Sequence, residues 1–360
     1  MESDKFIYDF IGTTQPILPD GEIINGVEPE KHETYNEYRF DDAQKLLSAL
    51  DFDSPIFKSS QVNMNRKFLF RGHQDASWNL EPSIFRDKLP EGFEISTYGN
   101  RKNRYNVHKG ARNFQYECVP FLNFLDSMDN LGLFIEPECE ELLKAYRIMQ
   151  QSEGGSFAEF LPLQKLLKQF PSDSQQRCLA LAQHYGIPTR LLDWTSNPYV
   201  ALFMATEGID LFSTNNKSRF AIWVMPQTLL KGAEIIKGMS FVNKAKIDNR
   251  NIVAQQGFFT SHIPPFENDK WEHVVHPNDS KRERFPYLDE YLMDGEDNEQ
   301  YLKFLEKFNS KPLCFTLDTE LVSPIRRKLD QLNINWNTMM PNLEGAKKEA
   351  KRQIQIRGLY

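Results

Sequence analysis

Two segments concentrate the residue types that can do chemistry. The first is Phe70-Arg71-Gly72-His73-Gln74, followed by Trp78, Pro82 and Arg86. The second runs Gln183-His184-Tyr185-Gly186-Ile187-Pro188-Thr189-Arg190-Leu191-Leu192-Asp193-Trp194-Thr195-Ser196-Asn197-Pro198. An arginine at the end of an apolar strand is costly unless its head reaches a polar partner. Arg71 therefore suits either a phosphate, gripped by its planar fork, or a structural ion pair with Asp193. Arg190 has the same two options, an anion or Asp193. His184 suits a base or a polar ligand contact, or else a helix C-terminal histidine that bonds locally. Tyr185 and Trp194 can stack on an adenine or nicotinamide ring, or fill a core. His262, His273 and His276 are the metal candidates, and His273-x-x-His276 alone is a weak ligand pattern, so no metal is expected. The sequence contains no P-loop, G-x-G-x-x-G, G-x-S-x-G or H-E-x-x-H.

These residues need elements to position them. Lys67 to Gly72 is predicted as a short strand that ends in a turn. Arg177 to His184 is predicted as a helix that stops at Tyr185-Gly186-Ile187-Pro188. Asn197 to Glu207 predicts a further helix, with Pro198 tolerated in its first turn. RFAIWVM, Arg219 to Met225, has the look of a buried strand. Ile252 to Thr260 and Pro312 to Leu317 are two more. Helical spacing marks Tyr38 to Leu50, Phe114 to Phe124, Cys139 to Gln150, Phe157 to Phe170, Ser323 to Leu332 and Gly345 to Ile354. Strands scattered among helices imply an α+β fold.

The chain has 360 residues, 40% hydrophobic and 26% charged, which excludes collagen-like, coiled-coil and fully disordered classes. A net charge of −7 argues against a protein that coats nucleic acid by bulk electrostatics. The charge is uneven. Arg66 to Arg112 holds ten Lys/Arg against five Asp/Glu, which suits an anionic ligand or a solvated face. The stretch 266–300 holds four against eleven and is expected to be an exposed insertion or a partner surface. Four cysteines, none in C-x-x-C, fit reduced thiols in a cytoplasmic protein. No apolar run approaches ~20 residues and no signal peptide stands out, so neither a membrane nor export is expected.

FLFRGHQDASWNLEPSIFR together with LAQHYGIPTRLLDWTSNPYVALFMA resembles the FRG domain, a bacterial family named for its Phe-Arg-Gly. RNIVAQQGFFT and INWNTMMPNLEGAKK also resemble that family's pattern, so the resemblance runs from about Arg66 to Ile354. Met1 to Asn36, rich in Pro, Gly and polar residues, reads as an arm or a pair of short strands, and 1–65 is taken as an N-terminal arm and helix. An FRG-like domain over 66–354 would follow, with a helical insertion at about 100–175 and an acidic one at about 266–300. The family's bacterial and phage-related settings imply a role in defence or as a toxin.

A second resemblance concerns mechanism. Phe70-Arg71-Gly72 is similar to the first-strand arginine motif of ADP-ribosyltransferases of the Arg–Ser–Glu type. Leu192-Asp193-Trp194-Thr195-Ser196, followed by Val200-Ala201-Leu202-Phe203-Met204-Ala205, is similar to their Ser-Thr-Ser strand and helix. This resemblance implies a split α+β sheet with a large helical insertion, and NAD as substrate. Arg71, Gly72, His73, His184, Tyr185, Arg190, Trp194, Thr195 and Ser196 would bind NAD. Arg71, Asp193 and Gln255 would be catalytic. The third motif, Ile252 to Phe258, offers Gln255 and Gln256 where a glutamate belongs, and glutamine lacks the charge that steadies an oxocarbenium-like centre. Asp193 is then the nearest candidate for that charge. The implied activity is transfer of ADP-ribose to a macromolecule, nucleic acid slightly ahead of protein, by an effector with a neutralising partner. A non-catalytic nucleotide-sensing or interaction module is the alternative.

Overall fold

The computed structural model describes residues 21–58, 68–86, 117–151, 163, 165–167, 170–209, 218–242, 253–262, 286–295, 298–308 and 311–357. In chain order these form β1 (Glu30–Lys31), β2 (Asn36–Arg39), α1 (Ala43–Leu50), α2 (Pro55–Lys58), β3 (Phe68–His73), α3 (Val119–Asn130), α4 (Pro137–Gln151), α5 (Asp173–His184), β4 (Leu192–Thr195), α6 (Pro198–Thr206), β5 (Arg219–Pro226) and α7 (Gln227–Lys237). There follow β6 (Ser240–Val242), β7 (Gly257–Ser261), α8 (Leu288–Met293), α9 (Glu299–Phe308), β8 (Leu313–Asp318), α10 (Val322–Gln331), α11 (Trp336–Met339) and α12 (Leu343–Arg357). The fold is α+β, as expected.

One mixed sheet carries all eight strands, in the order β1-β2-β8-β5-β3-β4-β7-β6. Only β2 and β8 pair in parallel. The central strand β5 shows why. Phe220, Ile222 and Val224 enter one core while Ala221, Trp223 and Met225 enter the other, so period-two alternation feeds two apolar faces. α1, α2, α6, α10 and α11 cover the first face, and α7, α8 and α9 the second. α3, α4 and α5 form a third cluster of their own, closed by Leu191 and Phe259.

Several elements differ from the sequence reading. Tyr38 and Arg39 end β2 rather than opening a helix, because Asp42 caps α1 by accepting from Gln44 and Lys45. Of the two readings of the N-terminal stretch, the pair of short strands holds at its end: β1 and β2 pair, and β2 lies beside β8 in the main sheet. The acidic stretch is not all exposed insertion. Residues 288–293 and 299–308 are helices whose Leu288, Leu292, Tyr301 and Phe304 are buried in the second face. Residues 266–285, the metal candidates His273 and His276, and most of the helix expected at 157–170 lie outside the described residues. Cys118, Cys139, Cys178 and Cys314 are free and buried. No helix among the described residues is long and apolar enough to cross a membrane.

α6 (PYVALFMAT) is buried almost all round and lies directly on β3. Gly72 makes that approach possible: a Cβ there would stand 2.1 Å from the Ala201 carbonyl oxygen and 2.7 Å from the Ala205 nitrogen. Gly72→Ala forces α6 off the sheet. It is expected to cost about 1–3 kcal/mol or more, read as a lowered midpoint in chemical denaturation.

Candidate functional site

The site begins where two strands part. β3 and β4 run antiparallel and share a single pair, Phe70 opposite Thr195. Beyond it β3 continues through Arg71, Gly72 and His73 along β5, while β4 pairs along its length with β7. The sheet opens there as a fork. Arg71 crosses it: Nη1 donates to the Asp193 backbone carbonyl at 2.7 Å and to its carboxylate Oδ1 at 2.5 Å. The alternative weighed from sequence, an Arg71–Asp193 ion pair, is therefore present.

His73 fixes the arginine. The two residues are two apart on one strand, so they share a face. Arg71 Nε donates to His73 Nε2 at 2.9 Å, which requires Nε2 to be an unprotonated acceptor. The ring proton then sits on Nδ1, which donates to the Trp78 carbonyl at 3.2 Å. Burial, then the charges of Arg71 and Arg86, push this imidazole down to about 3. His73 is a neutral positioning residue, not a ligand-facing one.

The fork leads into a cleft of about 200 Å³. Arg71 and Asp193 form its sheet side. Ser83 and Arg86 come from the short 3-10 turn at Ser83–Phe85 and the residue after it, and Gln183, Gly186 and Ile187 from the end of α5. Asp193 keeps its side chain 58% exposed while that of Arg71 is 9% exposed. Desolvation by the walls raises the Asp193 carboxyl. The charge and hydrogen bond of Arg71, then the charge of Arg86, outweigh this and hold it below its usual range. Gln183 Nε2 donates to Asp193 Oδ1 at 3.3 Å, and Gln183 Oε1 accepts from Thr189 Oγ1 at 2.5 Å. Thr189 and Ser83 bond each other through backbone and hydroxyl, which ties the cleft's two walls together. Arg86, Gln183 and Ser83 had no role assigned from sequence. The available signal was Arg86 closing the apolar run Pro82-Ser83-Ile84-Phe85, the same cue that drew attention to Arg71.

Other sequence candidates are placed elsewhere. Arg190 is fully buried and bound to Glu117 through Nε at 2.8 and 3.0 Å and Nη2 at 2.6 Å, so it is sealed from the cleft. Gly72 faces α6. Trp194 is a core residue whose Nε1 donates to Thr260 Oγ1 at 3.0 Å. Thr195 Oγ1 donates to the Gln255 carbonyl and accepts from the Asn197 backbone, so it serves the turn into α6. Ser196 donates to the Gln256 side chain at 3.1 Å. Gln255 is not on a strand. It sits in the turn before β7, where Gln256 takes φ 50, and its amide donates to the Met339 carbonyl at 3.1 Å. Met339 belongs to the core on the sheet face opposite Leu69 and its same-face neighbour Arg71, so Gln255 does not reach the cleft. His184 and Tyr185 do not line the cleft either. His184 is half-buried, lowered by burial and then by Lys348 of α12, and Tyr185 packs over Phe124 with ring centres 6.0 Å apart. His262 Nε2 bonds the Pro286 carbonyl at 2.8 Å. Among the described residues, Glu30, His32 and Glu37 cluster closely enough to hold a cation, yet Arg39 already pairs with both carboxylates.

Residues 66–213 match the family model of the FRG domain. This protein carries an FRG domain. Every residue lining the cleft falls inside the matched segment. The later segments that resembled the family, 250–260 and 334–348, lie beyond the match. No curated protein and no solved structure matches the chain.

Two outcomes test this geometry. Arg190→Met leaves Glu117 charged and buried, and is expected to destabilise the protein by about 3–5 kcal/mol. Adding Glu117→Gln to the same chain should recover much of that loss in a double-mutant cycle.

His73 carries a pH signature. Its folded value, about 3, lies below the ordinary histidine value of about 6.5. In that window the unfolded chain binds a proton that the native state does not. Stability is therefore full above about 6.5 and falls as pH drops, by ~1.4 kcal/mol per pH unit for this group. His262, pushed by burial to about 4, adds a second proton in the same direction. Denaturation curves from pH 7 to 5 should show this slope, and His73→Gln should remove about one proton's share of it.

Proposed function

We propose that this FRG protein is an NAD-dependent ADP-ribosyltransferase-like enzyme whose chemistry takes place in the cleft at the β3–β4 fork. The observation that carries this reading is Asp193: an open carboxylate, kept ionised by Arg71, at the mouth of a cleft that also holds a second arginine. A charge in that position can steady the oxocarbenium-like ribose as the bond from its C1′ to nicotinamide breaks. Nicotinamide leaves with the bonding electrons, and an acceptor nucleophile takes C1′ and gives up its proton. Arg71 supplies the phosphate contact. The acceptor is a macromolecule, with nucleic acid ahead of protein, which suits a toxin-like effector in antiphage defence held in check by a neutralising partner.

One observation favours a second reading, a nucleotide-sensing module without turnover. The glutamine expected to face the ribose is bonded to Met339 instead, and Asp193 is the one carboxylate among the described residues that line the cleft.

The test is to incubate the protein with NAD labelled in its adenylate half, together with RNA, DNA or lysate protein, and to repeat it with Asp193→Asn. The transferase reading expects label on one acceptor class, and an Asp193→Asn protein that still binds NAD while labelling falls by roughly two orders of magnitude or more. NAD binding with no transfer by the unaltered protein selects the sensing module. An Asp193→Asn protein that labels normally but melts earlier assigns Asp193 to the fold.

A further inference from the structure

The charges of the cleft do not cancel. Arg71 uses Nε on His73 and Nη1 on Asp193, and its Nη2 has no hydrogen-bond partner among the described residues. Arg86 is exposed and is oriented by one bond, from Nε to the Glu81 carbonyl at 3.3 Å. That bond uses the inner edge of its guanidinium, and neither Nη has a hydrogen-bond partner among the described residues. Both arginines line the cleft. Two like charges held side by side are costly without an anion between them. Asp193 is hydrogen-bonded to Arg71 only, and its charge reaches Arg86 without a hydrogen bond.

Among the described residues that line the cleft, two cations and one carboxylate leave a single positive charge. A terminal phosphate carries close to two negative charges at neutral pH and would set the second against Asp193. A phosphate esterified or anhydride-linked on both sides carries one. Ile187 and Leu191 add apolar wall, suited to a sugar or base rather than to a bare ion. A cleft of about 200 Å³ has room for a phosphate and its attached sugar, so the remainder of a larger ligand lies outside it.

We propose that Arg86 and the open Nη2 of Arg71 form a two-arginine jaw for a singly charged internal phosphate, such as one in the diphosphate bridge of a dinucleotide, with Arg86 as its anchor. The jaw deepens the NAD reading and rests on it for the class of ligand. Arg86 donates two parallel hydrogen bonds from its outer edge and Arg71 a third. Asp193 acts as a charge filter against terminal phosphates.

Calorimetric titration tests this with NAD, ADP-ribose, AMP and the phosphodiester ApA, on the full chain and on Arg86→Gln. Arg86 is exposed with one backbone bond, so its variants should keep the melting curve, and Arg86→Lys supplies a second variant that retains charge without the fork. The expected result is that NAD and ADP-ribose bind more tightly than AMP, that Arg86→Gln weakens both by roughly 10- to 100-fold, and that Arg86→Lys recovers part of the loss. Binding should also weaken as salt rises. Unchanged affinity in Arg86→Gln overturns the jaw while leaving the NAD reading intact, and so does a preference for AMP. If the full chain binds ApA through Arg86 but neither NAD nor ADP-ribose, the NAD reading fails and the jaw stands. If it binds none of the four, the jaw fails as well.

Discussion

A guanidinium stands in for strand pairing at the point where the sheet divides. Past the Phe70–Thr195 pair, β3 and β4 no longer bond each other, and the Asp193 carbonyl would face the fork unpaired. Arg71 supplies the missing donor and reaches the Asp193 carboxylate from the same nitrogen. The angle at which it does so depends on His73, which accepts from Arg71 Nε only while neutral and is held in the required tautomer by the Trp78 carbonyl. The cleft, its charge and the open position of Asp193 all follow from that chain of donors and acceptors.

A second arginine–carboxylate pair shows what the first is not. Arg190 and Glu117 have no exposure on either side chain, and the Phe170 ring lies 5.4 Å from the guanidinium centre. Ions so enclosed must satisfy each other, and the Arg190 backbone nitrogen donates to the same carboxylate at 3.1 Å. The result pins the helical cluster to the segment that enters β4. Three residues on, Asp193 stands at the open end of that rigid segment. The buried pair sets position, and the half-open pair is left able to exchange a partner.

How much of this was legible in the sequence depended on range. β5 was plain because six residues alternate between two apolar cores, and α6 was plain because Asn197-Pro198 is both cap and first turn. The Phe70-Arg71-Gly72 strand end and the Asp193 segment were legible as neighbours in chemistry, including the ion pair they form. Gly72 signalled a close approach, but the sequence did not say that the approaching group was a helix rather than a phosphate. Gln255 was misplaced because a left-handed turn at Gln256, not a residue type that demands one, delays β7 to Gly257. The partner of Arg190 lies 73 residues away in a helical cluster whose packing no local pattern encodes. α8 and α9 were hidden because their charges dominate the composition while Leu288, Leu292, Tyr301 and Phe304 carry the burial.

The strand order has a consequence for the protein as it is being made. β3 lies between β5 and β4, and the Arg71–Asp193 contact closes a loop of 122 residues. β5 in turn needs β8, which begins at Leu313, as its other neighbour. A ribosome moving at about 5–20 residues per second needs roughly tens of seconds between exposing Arg71 and completing that sheet. Throughout that interval Arg71 has no fork to span and the cleft does not exist. The nascent chain therefore carries both cleft arginines long before it can use them, and whatever the finished site does begins only once the chain through β8 has been made.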